Sequence, residues 1–123
     1  MKLQFISVGK AHEHYAKEGV EMFTKRICHY YTVEWLIIAA PKNSAALSET
    51  DLKKKEGEAI LNILQKDDYL ALLDERGKQI KSEELAKFME QRANESIKKL
   101  VFLIGGAYGV SDDIMKRANY KWS

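Results

Sequence analysis

Cysteine and proline occur once each, at Cys28 and Pro41. A single thiol cannot close an intrachain disulfide, so nothing places the chain among small, disulfide-stapled secreted domains. Long apolar runs are missing too. The N-terminal stretch Leu3–Val8 stops at Gly9-Lys10, too short for a signal-peptide core and far below the roughly 20 residues of a membrane helix. No sign of charge dominates either: 20 Lys and Arg face 18 Asp and Glu, for a net charge of +2. A chain that gripped RNA by bulk charge alone would be far more basic. Any nucleic-acid partner must therefore be met through a local patch or inside a larger assembly. The expectation is a soluble, cytoplasmic protein with no membrane contact.

What is present suits one globular domain spanning residues 1–123. The 123 residues are 46% hydrophobic and 31% charged, an ordinary soluble mix. A domain of this size can bury roughly two-thirds of its unfolded surface, enough for a core without a metal or a disulfide.

Periodicity divides the chain into alternating elements. Leu3–Val8 is short and β-rich and reads as a strand. From His12 the apolar residues Tyr15, Met22, Phe23 and Ile27 recur at three- and four-residue steps, predicting an amphipathic helix that ends near Cys28. Val33–Ala40 is almost continuously apolar and is closed by Pro41, which predicts a strand buried on both faces. After a polar loop over Lys42–Glu49, Ser48 with Asp51 resembles a capping box opening a second helix, whose packing face is Ala59, Ile60, Ile63 and Leu64. Asp67-Asp68 breaks it before the strand Tyr69–Leu73 and the turn Asp74-Glu75-Arg76-Gly77. Ser82 begins a third helix with the apolar face Leu85, Phe88, Met89 and Ala93. Leu100–Ile104 is the plainest strand, followed by Gly105-Gly106-Ala107-Tyr108-Gly109. Ser111 caps a short helix, and Tyr120–Ser123 opens a fifth strand. Strands alternating with helices imply an α/β fold, a mostly parallel sheet with helices on both faces.

In open α/β sheets ligands bind beyond the carboxyl ends of the strands, which singles out the loops after Leu73 and Ile104. Gly105, Gly106 and Gly109 lack side chains and tolerate positive φ, so backbone there can approach a ligand closely. A glycine-bearing strand-to-helix turn also needs no ligand, and the residues alone leave both readings open. The dinucleotide fingerprint is absent, because Ser7-Val8-Gly9-Lys10 offers one glycine where three are needed. No phosphate-binding P-loop occurs. His12 and His14 stand two apart on their helix and face different ways, so with Cys28 and His29 elsewhere no metal is expected. Asp74 and Glu75 could serve as catalytic carboxylates, although turn and cap roles are commoner. Lys53-Lys54-Lys55 and Lys98-Lys99 could meet phosphates or simply form a solvated face.

The motifs taken in order are more specific than any one of them. Met1-Lys2-Leu3-Gln4 leads to Val8-Gly9-Lys10, then to Lys54-Lys55-Glu56-Gly57 and Leu72-Leu73-Asp74-Glu75-Arg76-Gly77-Lys78. Phe102-Leu103-Ile104-Gly105-Gly106-Ala107-Tyr108-Gly109 follows, with Asn119-Tyr120 beyond it. From end to end the chain resembles the RlmH (YbeA) family, SPOUT-type methyltransferases that act on N3 of a pseudouridine in 23S rRNA. The resemblance implies a SPOUT (α/β-knot) fold, S-adenosyl-L-methionine as methyl donor, a homodimer that forms the working site, and the assembled ribosome as substrate. Carried over by position, the cofactor contacts fall on Leu73 and Gly105, with Gly106 and Gly109 shaping the same loop. The catalytic group is not identified.

Members of the family continue beyond the position of Ser123 into a further cofactor loop, a Pro-His element and a final helix. The expectation is therefore a domain without its knot-forming segment, of doubtful activity by itself, in which Phe102, Ile104 and Trp122 face water. The alternatives are a non-enzymatic ribosome-binding module, an inactive truncated relative, or a nucleotide-binding domain on a flavodoxin-like sheet.

Overall fold

The computed structural model describes residues 1–8, 31–38, 46–73, 82–104 and 110–122. Among these residues lie five strands and three helices. They are β1 (Lys2–Val8), β2 (Thr32–Ile38), α1 (Glu49–Ile63), β3 (Tyr69–Leu73), α2 (Ser82–Asn94), β4 (Lys99–Ile104), α3 (Asp112–Arg117) and β5 (Tyr120–Trp122). The helix expected from His12 to near Cys28 lies outside the described residues.

The strands form one sheet in the order β2-β1-β4-β3-β5, and every pairing is parallel. Chain direction and handedness then decide the layers. The crossovers β2→β3 and β4→β5 move one way across the sheet, and β3→β4 moves the other way. Right-handed crossovers must put α1 and α3 on one face and α2 on the opposite face. The core shows this split. Leu3, Phe5, Ala71, Leu100 and Phe102 pack against Leu85, Phe88 and Met89 of α2. On the reverse face Ile6, Leu70, Leu72, Val101 and Leu103 pack against Ile60 of α1 and Ile114 of α3. Adjacent strand residues fall in different clusters because side chains alternate across a sheet. Burial of each such large side chain contributes about 1.5–3 kcal/mol.

Local chemistry sets the helix ends. The Ser48 hydroxyl accepts the Asp51 N–H at 3.2 Å, and the Ser111 hydroxyl accepts the Ile114 N–H at 3.4 Å, each satisfying a donor the helix itself leaves unpaired. After α1 the carboxylate of the buried Asp68 accepts the Gln65 N–H at 2.9 Å and faces Lys99 at 3.6 Å. The acidic pair thus ends the helix, as expected, by capping the turn that follows it.

Two expectations are corrected. The second strand is not buried on both faces: β2 pairs with β1 alone and is an edge of the sheet, with Thr32 and Glu34 exposed and the rest half-buried. Glu34 is matched there by Lys2 at 2.9 Å, whose hydrogen bond and charge lower its pKa from the usual 4.5. Nor do Phe102 and Ile104 face water. β4 runs between β1 and β3, so Phe102 is fully buried and Ile104 is 7% exposed. Phe102 stacks on Phe5 at 5.0 Å between ring centroids and meets Phe88 of α2 at 6.2 Å. The side chain of Trp122 lies outside the described residues.

Candidate functional site at the carboxyl edge of the sheet

Because all strands run the same way, their carboxyl ends share one edge. The register is specific there. Leu73 pairs with Ile104 on one side and with Trp122 on the other, and Ile104 pairs with Ser7, which in turn pairs with Ile37. One row therefore crosses the whole sheet as Ile37, Ser7, Ile104, Leu73 and Trp122. Neighbouring strands are about 4.8 Å apart, so the chain leaves β3 and β4 at immediately adjacent points. The two loops selected from the sequence thus begin side by side. Leu73 is the last residue of β3; Gly105, Gly106 and Gly109, like Asp74 and Glu75, lie outside the described residues.

Ser7 was not anticipated as a site residue. It is fully buried in this row, and its hydroxyl has no hydrogen-bond partner. An unsatisfied buried hydroxyl costs about 1–3 kcal/mol, so its position beside Ile104 marks it as a polar group available to a ligand. The only signal in the sequence is one hydroxyl placed next to the end of a β-rich run. Gln4 Oε1 and Trp35 Nε1 are also buried without partners, but they lie farther from the carboxyl edge.

The other candidates separate from this edge. Lys99 pairs in register with Lys2 at the opposite, amino-terminal edge and faces Asp68. Lys54 and Lys55 are exposed and Lys53 half-buried on α1. Among the described residues no three His, Cys, Asp or Glu side chains converge as metal ligands; His12, His14, Cys28 and His29 are outside that set. No described helix is long and apolar enough to cross a membrane.

A parallel sheet covered by helices on both faces, with adjacent strand ends opening beside a buried, unpaired hydroxyl, defines an α/β domain that takes its ligand at the carboxyl edge. Comparison with known proteins specifies the kind. A family model described as "Predicted SPOUT methyltransferase" matches residues 1–123, and the chain belongs to that family. A protein of Cytophaga hutchinsonii named ribosomal RNA large subunit methyltransferase H is 46% identical over 121 residues, covering 98% of this chain and 77% of its own length. Proteins of the same name from Christiangramia forsetii and Parabacteroides distasonis are 37% and 41% identical over 123 residues, each covering 100% of this chain and 78% of their own length. The resemblance read from the ordered motifs is therefore correct at the level of family.

Proposed function

We propose that the chain is a cytoplasmic S-adenosyl-L-methionine-dependent methyltransferase that modifies N3 of a pseudouridine in 23S rRNA, working as a homodimer on the assembled ribosome. The observation that carries this reading is the register pairing of Leu73 with Ile104, in a chain whose relatives are named as ribosomal RNA large subunit methyltransferases.

Leu73, Gly105, Gly106 and Gly109 would hold the cofactor. The apolar row and the unpaired Ser7 hydroxyl fit a ligand that has both a flat hydrophobic part and hydrogen-bonding groups. Bound there, S-adenosyl-L-methionine supplies an already activated methyl group. The protein's share is then mainly positioning, which can lower a barrier by up to roughly 10 kcal/mol when the reacting atoms are held in line. A rigid central strand on each side of the site serves that end, because β1, β4 and β3 are fixed by packing on both faces.

Isothermal titration of the chain with S-adenosyl-L-methionine, with FMN and NAD in parallel, tests the ligand class. Binding of the first alone is the expected result. Transfer of labelled methyl to ribosomes, followed by mapping of the modified nucleotide, tests the substrate. Binding of FMN in place of S-adenosyl-L-methionine would refute the reading in favour of a flavodoxin-like domain.

A further inference from the structure

Gly57 is buried in the interior of α1, where glycine is about 1 kcal/mol less favourable than alanine. Its surroundings explain the choice. A Cβ at this position would collide with the Ser111 hydroxyl and lie 3.3 Å from both Ser111 Cβ and Ile114 Cγ1. Glycine is therefore what lets α1 and α3 touch at the very start of α3.

That start is not free to yield. Ser111 is the N-cap of α3, its hydroxyl engaged by the Ile114 N–H and its carbonyl by the Met115 N–H at 3.0 Å. Rotating the hydroxyl away from a new methyl group would give up the cap. The far end of the helix is tied down as well. Arg117 donates to the carbonyls of Gln65 and Asp68 at 3.0 and 2.8 Å, and Asn119 is bonded to Leu70. With one end anchored to β3, a push from residue 57 must displace the other end. The glycine segment is suspended between these points, since it leaves β4 at Ile104 and reaches α3 through Val110 and Ser111.

We infer that Gly57 is a positioning residue for the cofactor site: its missing side chain sets where the Gly105–Gly109 segment ends, through the Ser111 cap. This rests on the reading that S-adenosyl-L-methionine binds at that segment. A purely structural glycine would lower the melting temperature of its variants without selectively weakening the ligand.

The test is a double-mutant cycle in the full chain, read by titration with S-adenosyl-L-methionine and by thermal melting. Gly57→Ala should weaken binding about tenfold or more while the protein remains folded at the assay temperature. Adding Ser111→Gly removes the colliding atoms and leaves a tolerable cap, so the double variant should recover to within about threefold of the wild type. Phe88→Leu, which loosens the opposite face, should lower the melting temperature and leave the affinity unchanged. If Gly57→Ala folds poorly, Ser111→Thr keeps the capping hydroxyl, adds a methyl to the same contact, and should weaken binding severalfold. Wild-type affinity in whichever of these two variants is folded, or no recovery in the double variant, overturns the positioning role. A wild-type chain that does not bind S-adenosyl-L-methionine instead overturns the proposed cofactor, and the positioning role falls with it.

Discussion

Asn119 and Leu70 exchange two hydrogen bonds: the Leu70 N–H donates to Asn119 Oδ1 at 2.9 Å, and the Asn119 N–H donates to the Leu70 carbonyl at 2.8 Å. Arg117 donates to the same Oδ1 at 3.1 Å. The clamp joins the residue just before β5 to the second residue of β3, and so starts the pairing that ends with Leu73 beside Trp122. Leu70 is fully buried, so its N–H has little access to water if the partner is removed. Asn119→Leu should therefore cost about 1–3 kcal/mol, measured by urea unfolding. Asn119→Asp keeps an acceptor for both donors and should lie within about 1 kcal/mol of the wild type. Equal losses in the two variants would show that the acceptor oxygen is not what matters.

Substitution at the glycine segment separates binding from folding. Gly105→Val puts a β-branched side chain directly after Ile104, at the point where the proposed cofactor must meet the backbone. It should abolish S-adenosyl-L-methionine binding and leave the melting temperature near that of the wild type. Full affinity in a folded variant would mean that the cofactor sits elsewhere.

The charge balance bears on the RNA. With a net charge of +2, the protein has little long-range attraction for free nucleic acid, so docking should depend on the shape of an assembled particle. Methyl transfer to intact 70S ribosomes is expected to be much faster than to naked 23S rRNA at physiological salt. Equal rates on the two substrates would contradict this.

A stability gain is available at the end of α2. The Ile97 N–H donates to the Arg92 carbonyl at 3.4 Å and the Ser96 N–H to the Ala93 carbonyl at 3.2 Å, with Ser96 at φ 64°. This is a Schellman closure carrying a serine at the left-handed position where glycine is usual. An L-residue there costs about 1 kcal/mol. Ser96→Gly should therefore raise stability by about that amount in urea unfolding, with no change in ligand affinity. A loss of stability would mean that the unfolded-state entropy of glycine outweighs the relief.

The order of strands and helices was legible wherever one local rule dominated. Ser48 and Ser111 read correctly as caps because a capping hydroxyl acts within three residues of itself. Leu85, Phe88 and Met89 read correctly as one face because a helix repeats at a fixed period. The apolar run after Val33 misled for the converse reason. Its composition suits a central strand, yet burial of β2 depends on which strands flank it, and only β1 does. Phe102 and Ile104 were misjudged likewise, since a strand's exposure is set by its neighbours and not by its nearness to the end of the chain.

The site divides along the same line. By itself the sequence determined the family, through ordered motifs, and the two strand ends most suited to a ligand, because glycines and strand termini are local features. The tertiary structure alone decided that Leu73 and Ile104 are direct neighbours, that Ser7 joins them with an unpaired hydroxyl, and that Gly57 abuts Ser111. Each of these pairs is far apart along the chain. Parallel pairing and helix packing bring them together, and their contacts depend on register and crossover direction, which no short stretch of residues encodes.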